Sequence, residues 1–227
     1  MKAVAGPDRL LETAQQIPYL ESMGAAEKYE EMSVECYLAS ELTSPIKHEY
    51  VNGAIYNMAG GTNAHHRIAS NILGSLHGPL RGKPCKPFNS DTKIRVRSAF
   101  STRFYYPDVT VVCKPNPLTD TFQDDPIIIV EVVSPGTRRI DEGEKKDAYL
   151  SVPSLAVYLL VEQAAANVRV HRRTDIGFVQ EEYNGLECRV PLPEIQAELA
   201  LMDIYEDVPV AARMKILPFA SIGQNEE

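Results

Sequence analysis

The feature that most constrains the fold is an apolar run over residues 127–133 that only Glu131 interrupts. A run without polar alternation is typical of a strand covered on both faces, so the chain has to place a layer on each side of it. Burying a carboxylate there costs several kcal/mol unless a partner or a metal ion compensates the charge. We therefore take Glu131 as a candidate functional residue, with a purely structural role as the alternative.

The remaining elements are predicted from periodicity and from capping and turn residues. Ser33 caps a short helix, Asn52-Gly53 marks a hairpin, and Thr62 or Asn63 caps a longer helix. Helices are predicted at about 33–42, 63–80, 139–150 and 193–205, and strands at 48–51, 54–58, 85–88, 93–97, 104–113, 127–133, 155–161, 168–172, 178–183 and 187–190. This order indicates an α/β chain of the α+β-like kind, a mixed sheet flanked by helices.

The length of 227 residues fits one domain. We expect that domain over residues 32–208, with an N-terminal extension over 1–31 and a C-terminal tail over 209–227. No apolar stretch approaches the roughly 18 residues that span a bilayer, and the first residues lack a secretory pattern. We therefore expect a cytoplasmic protein without a membrane partner. Its four cysteines lie far apart in sequence and are predicted to be reduced, with neither a metal nor a disulfide.

A second carboxylate, Asp108, follows Tyr106-Pro107 at the start of another apolar strand pattern. If the two strands are neighbours, Asp108 and Glu131 converge on one divalent cation. Ligation by oxygen alone favours Mg²⁺ or Mn²⁺ over zinc. The alternative for Asp108 is an ordinary aspartate at a strand start after proline.

A lysine follows on the next predicted helix. Asp141, Lys145 and Tyr149 are spaced at i, i+4 and i+8, which places them on one helix face. Lys145 is therefore a candidate to hold an attacking water or the charge that develops on a phosphoryl group. An intrahelical salt bridge between Lys145 and Asp141 is the alternative.

Two further residues are weaker candidates. Glu49, just before the hairpin turn, is a possible third carboxylate, although a hairpin glutamate is more often solvated. His65 shares an inward helix stripe with Ala69 and Ile72, where a histidine is usually a satisfied core residue.

The formal net charge of −8 argues against nonspecific binding of nucleic acid, which usually needs a basic surplus. Any contact with DNA must come from local basic patches, for which Arg95, Arg97, Arg138 and Arg139 are the candidates. Lys93, Arg95 and Arg97 alternate with apolar residues and are predicted to line one strand face. A solvated outer face is the alternative to a phosphate-contacting one.

Several stretches together resemble one protein family, the Uma-two family of restriction-endonuclease-like proteins in the PD-(D/E)XK superfamily. They are Lys47–Tyr56, Tyr106-Pro107-Asp108-Val109, Ile129–Pro135, Asp141, Gly143-Glu144-Lys145, Tyr149, Arg81–Cys85 and Asp91. The resemblance implies a nuclease-type core in which Asp108 and Glu131 hold the metal ion, and we expect the Val132 carbonyl to be a further ligand. It also implies that Lys145 replaces the superfamily lysine, because Val133 stands at the usual position of that lysine.

The sequence thus predicts a Mg²⁺- or Mn²⁺-dependent endonuclease that hydrolyses DNA phosphodiester bonds. Cutting both strands with one site per chain is easiest for two subunits related by a two-fold axis, so a homodimer is expected. The alternative is a noncatalytic protein of the same fold that acts in binding or assembly, because fold does not establish function.

Overall fold

A computed structural model describes residues 31–58 and 60–210 of the chain. The helices are α1 (Val34–Glu41), α2 (Asn63–Leu80), α3 (Arg138–Asp141), α4 (Glu144–Leu150) and α5 (Leu201–Ile204). The strands are β1 (His48–Val51), β2 (Ala54–Asn57), β3 (Lys86–Asn89), β4 (Lys93–Arg97), β5 (Thr102–Tyr105), β6 (Val109–Val112), β7 (Phe122–Gln123), β8 (Pro126–Val133), β9 (Val157–Glu162), β10 (Asn167–Thr174), β11 (Gly177–Asn184), β12 (Arg189–Leu192) and β13 (Ala197–Ala200). The predicted extension and tail fall outside the described residues, apart from positions 31, 209 and 210.

Within the described residues the strands form two larger sheets and a ribbon. One sheet has the order β2-β1-β5-β4-β7, the other has the order β11-β10-β9-β8-β6-β3, and β12 pairs with β13. Strand β8 lies parallel to β9 and antiparallel to β6, so the larger sheet is mixed. The predicted mixed sheet with flanking helices is confirmed, although the strands are divided between more than one sheet.

Strand β8 is covered on both faces, as its apolar run predicted. One face of the sheet packs against α2 through Ile68 and Ile72, which are fully buried. The other face packs against α4 through Ala148 and Tyr149. Glu131 belongs to this central strand and is only 4 % exposed.

The predicted caps and hairpin are also found. The Ser33 hydroxyl accepts a hydrogen bond from the Cys36 amide, and the Thr62 hydroxyl accepts one from the His65 amide. Asn52 and Gly53 have φ values of 50° and 96°, the left-handed backbone that a two-residue hairpin turn requires.

Two of the predicted elements are divided. The strand predicted over 104–113 breaks at Pro107, and its halves, β5 and β6, lie in different sheets. The helix predicted over 139–150 is interrupted at Gly143, where a Cβ atom would lie 2.6 Å from the Arg139 carbonyl oxygen. Asp141 and Lys145 consequently lie on separate short helices, α3 and α4, rather than on one helix face.

The helix predicted over 193–205 is largely wrong. A 3₁₀ turn over Pro193–Ile195 ends at Gln196, whose φ of 54° is left-handed and cannot continue a helix. The next residues form β13, and only Leu201–Ile204 are helical. Pairing with β12 therefore overrides the local helical pattern.

The prediction that all four cysteines are reduced is also wrong. Cys85 and Cys113 form a disulfide, whereas Cys36 and Cys188 are free. The register of β3 on β6 pairs Lys86 with Val112, so the residues just beyond this pair meet. Because 28 positions separate them in sequence, the spacing gave no sign of the bond. None of the helices in the described part of the chain is long and apolar enough to cross a membrane.

Candidate active site

The two predicted carboxylates lie at one corner of the larger sheet. The antiparallel register of β6 and β8 pairs Val109 with Val130, and Asp108 and Glu131 are the next residues along these strands. The Asp108 carboxylate accepts a hydrogen bond of 2.7 Å from the Val132 amide. Asp108 is thereby fixed beside the backbone that directly follows Glu131.

The other Asp108 oxygen contacts His65, in the first turn of α2. The distance from His65 Nε2 to Asp108 Oδ1 is 2.8 Å. Burial by itself lowers the pKa of His65, but the hydrogen bond to Asp108 and its charge outweigh burial, so the pKa is raised. His65 therefore faces the predicted site, where its protonated form offsets the charge of Asp108.

Burial and neighbouring carboxylates oppose the ionisation of Glu131, whereas Lys145 favours it. Burial raises its pKa well above the ordinary range, Lys145 acts in the opposite direction, and the charges of Asp141, Asp108 and Glu49 raise it further. The Tyr149 hydroxyl, on α4, donates a hydrogen bond of 3.1 Å to Glu131 Oε1. These contacts fix one carboxylate oxygen of Glu131 in place.

Lys145 lies at the centre of the carboxylates and is 8 % exposed. Its Nζ atom lies 2.7 Å from Glu49 Oε1, 3.7 Å from Glu131 Oε1 and 4.0 Å from Asp141 Oδ1. Burial lowers the pKa of Lys145, but the three carboxylates outweigh burial and raise it, so the ammonium stays charged. The salt bridge to Asp141 that the sequence offered as the alternative is the longest of these contacts.

Glu49 reaches this cluster from the other large sheet. It lies on β1, and its Oε1 atom also accepts a hydrogen bond of 3.4 Å from the Tyr106 amide. Its side chain is 14 % exposed, so it is not the solvated hairpin glutamate of the alternative interpretation. The cluster is therefore assembled from β1, β8 and α4, with Asp108 before β6.

The cluster carries more negative than positive charge. Glu49, Asp108, Glu131 and Asp141 are carboxylates, whereas Lys145 and a protonated His65 are the cations that contact them. Burial raises the pKa of Asp141 too, and repulsion from Asp108 and Glu49 adds to the shift that Lys145 opposes. Carboxylates whose protonation is favoured by mutual repulsion gain the most from a bound cation.

The donor atoms fit Mg²⁺ or Mn²⁺ in kind. Mg²⁺ is commonly held by one or two carboxylates and keeps several water ligands, and Asp108, Glu131 and the Val132 carbonyl would supply oxygen ligands of this kind. Over residues 31–58 and 60–210, no group of three or more His, Cys, Asp or Glu side chains is arranged to hold a metal ion. The ligand set of Asp108, Glu131 and the Val132 carbonyl has two carboxylate side chains and one backbone oxygen, so it is not a group of three side chains.

The candidate DNA-contacting arginines differ in how they are held. Arg95 donates two hydrogen bonds to Asp124, at 2.7 and 2.8 Å, and Arg97 contacts the same carboxylate at 3.3 Å. Arg138 pairs with two glutamates. Arg139 is exposed and makes no ion pair within the described ranges. A role in contacting DNA stays a prediction for all four.

Sequence reasoning missed two tyrosines that support the site. The Tyr158 hydroxyl, on β9, donates a hydrogen bond of 2.9 Å to the Asp141 carbonyl and fixes the end of α3. Tyr106 holds Glu49 through its backbone amide. The sequence could have indicated Tyr158, because it stands in the apolar strand pattern over 155–161 and a buried hydroxyl needs a hydrogen-bond partner.

Comparisons with known proteins identify the family and the fold of the chain. Residues 27–204 match the family model Uma2, described as "Putative restriction endonuclease". Two proteins of Synechocystis sp., the uncharacterized proteins slr1290 and sll1609, are 35 % and 29 % identical over 66 % and 60 % of this chain, and the match covers 78 % of each. A crystal structure from Anabaena variabilis, titled "a putative nuclease belonging to DUF820", aligns with a TM-score of 0.58 at 17 % identity. That alignment covers 74 % of this chain and 96 % of the Anabaena chain, and it shows a shared fold.

Proposed function

Because the chain belongs to the Uma2 family, we propose that it is a metal-dependent endonuclease that hydrolyses phosphodiester bonds of DNA. The observation that carries this function is the buried Lys145 ammonium, held 2.7 Å from Glu49 and 3.7 Å from Glu131 at the corner where Asp108 also lies. Two carboxylates and one ammonium are the groups that metal-assisted phosphodiester hydrolysis uses.

Each residue has a role that follows from its contacts. Asp108, Glu131 and the Val132 carbonyl would hold Mg²⁺ or Mn²⁺. When bound, such an ion polarises the phosphoryl group and lowers the pKa of a bound water. Lys145 orients the attacking water and stabilises the negative charge that develops on the phosphoryl oxygens.

The surrounding side chains position these groups. Glu49 holds the Lys145 ammonium, Tyr149 fixes one oxygen of Glu131, and His65 fixes one oxygen of Asp108. Partners of this second layer commonly alter metal affinity or activity by about 10–100-fold when they are removed. We assign them to positioning rather than to the reaction itself.

A noncatalytic protein of the same fold is the second candidate. The net charge of −8 and the engagement of Arg95 with Asp124 favour it, because both reduce the positive surface offered to DNA. Val133, which replaces the superfamily lysine, is 1 % exposed in an apolar cluster and provides no cation.

A calorimetric titration with Mn²⁺ distinguishes the two candidates. The endonuclease should bind Mn²⁺, and Asp108→Ala should abolish this binding. Asp147→Ala, which removes an exposed carboxylate of α4, is the matched control and should bind normally. A wild-type protein that does not bind Mn²⁺ would favour the noncatalytic candidate.

We also propose that the active form is a homodimer, since one site per chain cuts both strands of a duplex most simply when two subunits are related by a two-fold axis. Light scattering at micromolar concentration should give twice the chain mass of 25.2 kDa. A strict monomer would contradict the dimer but would leave single-strand nicking intact.

A further inference from the structure

A cavity beside Tyr106 is lined by none of the proposed catalytic residues. Its volume is about 480 Å³, within the range of roughly 300–1,000 Å³ typical of small-molecule sites. Tyr106 lines it, while the Tyr106 backbone amide contacts Glu49 of the catalytic cluster. The cavity contains polar groups that the proposed hydrolysis does not use.

The most unusual of these groups is Lys93, the first residue of β4. It lines the cavity and is 6 % exposed, yet its ammonium makes no hydrogen bond or ion pair with any residue that the structure describes. The rings of Tyr106 and Tyr37 lie near it, with centroids 5.4 and 5.8 Å from Nζ. Burial lowers the pKa of Lys93, and the charge of Glu41 acts in the opposite direction. The ammonium faces the cavity without a direct acceptor among the described residues, and an anionic ligand there would supply one.

Gln123 adds a second free donor. This residue of β7 is 7 % exposed and lines the same cavity. Its carbonyl oxygen accepts a hydrogen bond of 2.7 Å from the Asn116 amide, while its side-chain nitrogen has no partner within the described ranges. Strand β7 pairs directly with β4, and Gln123 lies opposite Ile94. Lys93 is the residue next to Ile94 in β4. The free polar groups on this pair of strands are therefore both hydrogen-bond donors.

The carboxylates near the cavity are already engaged. Glu41 accepts hydrogen bonds from the Tyr106 hydroxyl at 2.8 Å and contacts His48 Nδ1 at 2.7 Å. Asp91 pairs with Lys47 at 2.5 Å. The remaining acidic residue of the lining, Asp120, accepts a hydrogen bond from Asn116. The acidic residues of the lining are therefore held by hydrogen bonds or by Lys47, whereas Lys93 and the Gln123 side-chain nitrogen are left to donate to a ligand.

From this geometry we propose that the cavity binds a phosphate group, with Lys93 and Gln123 donating hydrogen bonds to its oxygens. Lysine is a common point-charge partner of phosphate, and the oxygens of a phosphate group provide acceptors for both side chains. Phe88, Leu118 and Phe122 line the rest of the cavity and offer apolar surface for an attached nucleoside. The ligand is thus either inorganic phosphate or a mononucleotide. This binding does not depend on the proposed nuclease activity.

Calorimetry on the full chain in EDTA tests the site separately from the metal-dependent reaction. The probes are thymidine 5′-monophosphate, thymidine and inorganic phosphate. We expect thymidine to bind at least about 10-fold more weakly than its monophosphate, since loss of one charge-assisted contact is worth roughly this factor. Tighter binding of the monophosphate than of inorganic phosphate identifies a nucleotide ligand, and the reverse order identifies the free anion. Either order supports a phosphate site.

Lys93→Met removes the charge while keeping a long apolar side chain, and it should weaken binding of the phosphate probe by about 10-fold or more. Lys86→Met, on β3 and outside the cavity lining, should leave it unchanged. Gln123→Glu places a negative charge against the phosphate and should also abolish binding, which keeps the test decisive if Lys93→Met does not fold. No measurable binding of either phosphate probe, affinity for thymidine equal to that for the tighter phosphate probe, or unchanged affinity in both variants would overturn the proposal.

Discussion

Lys145 and Glu49 form the shortest ion pair of the candidate site, with 2.7 Å between Nζ and Oε1. The pair joins α4 to β1 and so joins the two large sheets at the corner where Asp108 and Glu131 lie. The ammonium also lies 3.7 Å from Glu131 on the central strand, slightly nearer than to Asp141 at 4.0 Å. The proposed role of Lys145 depends on this arrangement.

Replacement of Lys145 tests that role. Lys145→Ala should reduce cleavage of DNA by about 10²-fold or more, as loss of a preorganised stabilising group often does. The affinity for Mn²⁺, measured by calorimetry, should change little because Asp108 and Glu131 remain. Lys146→Ala removes the neighbouring, more exposed lysine and should cleave normally. Full activity of Lys145→Ala would reduce this lysine to a structural ion-pair partner.

Tyr149 is expected to act through Glu131. Tyr149→Phe deletes the 3.1 Å hydrogen bond to Glu131 Oε1 while keeping the buried ring. We expect affinity for Mn²⁺ to fall by about 10–100-fold, the usual effect of removing a partner of a metal-binding carboxylate. Tyr56→Phe, at an exposed position on β2, is the control. Identical titration curves for Tyr149→Phe and the wild type would contradict the assignment.

The pair of His65 and Asp108 makes stability depend on pH. The pKa of His65 is raised in the folded chain above its ordinary value of 6.5, because Asp108 outweighs burial. The pair therefore stabilises the fold fully below that ordinary value, and its contribution is lost as the pH rises through the higher pKa of the folded chain. His65→Gln should lower the free energy of unfolding more at about pH 5.5 than at about pH 8.5.

Urea unfolding at the two pH values measures this difference. His77→Gln, at an exposed position near the end of α2, should show no such dependence. A His65→Gln effect that is the same at both pH values would mean that folding leaves the pKa of His65 unshifted.

Much of the fold was predictable because local signals and packing agree. The apolar run around Glu131 predicted a doubly covered strand, and Asn52-Gly53 predicted the hairpin that carries Glu49. Local patterns misled where pairing between distant segments decides the structure. Pairing with β12 converts residues 197–200 from a predicted helix into a strand, and pairing of β3 with β6 brings Cys85 to Cys113.

The candidate site was predicted in its residues but not in its contacts. The spacing of Asp141, Lys145 and Tyr149 suggested one helix face, whereas a break at Gly143 separates α3 from α4. The pairing of Lys145 with Glu49 crosses between sheets and has no signal in sequence spacing. Lys93 was predicted to share one strand face with Arg95, with a solvated outer face as one alternative. Lys93 is instead buried beside the cavity, where β7 pairs with the start of β4 and the Tyr106 ring lies near its ammonium.

The most direct test of the central claim is nicking of supercoiled plasmid by the purified chain with Mn²⁺. We predict that the wild-type protein converts the plasmid to open circles and that EDTA prevents this. Glu131→Gln, which keeps the shape of the buried side chain but removes its charge, should be inactive under the same conditions. Nicking that persists in EDTA or in Glu131→Gln, or a wild-type protein that leaves the plasmid supercoiled with Mn²⁺ present, would contradict the proposed endonuclease.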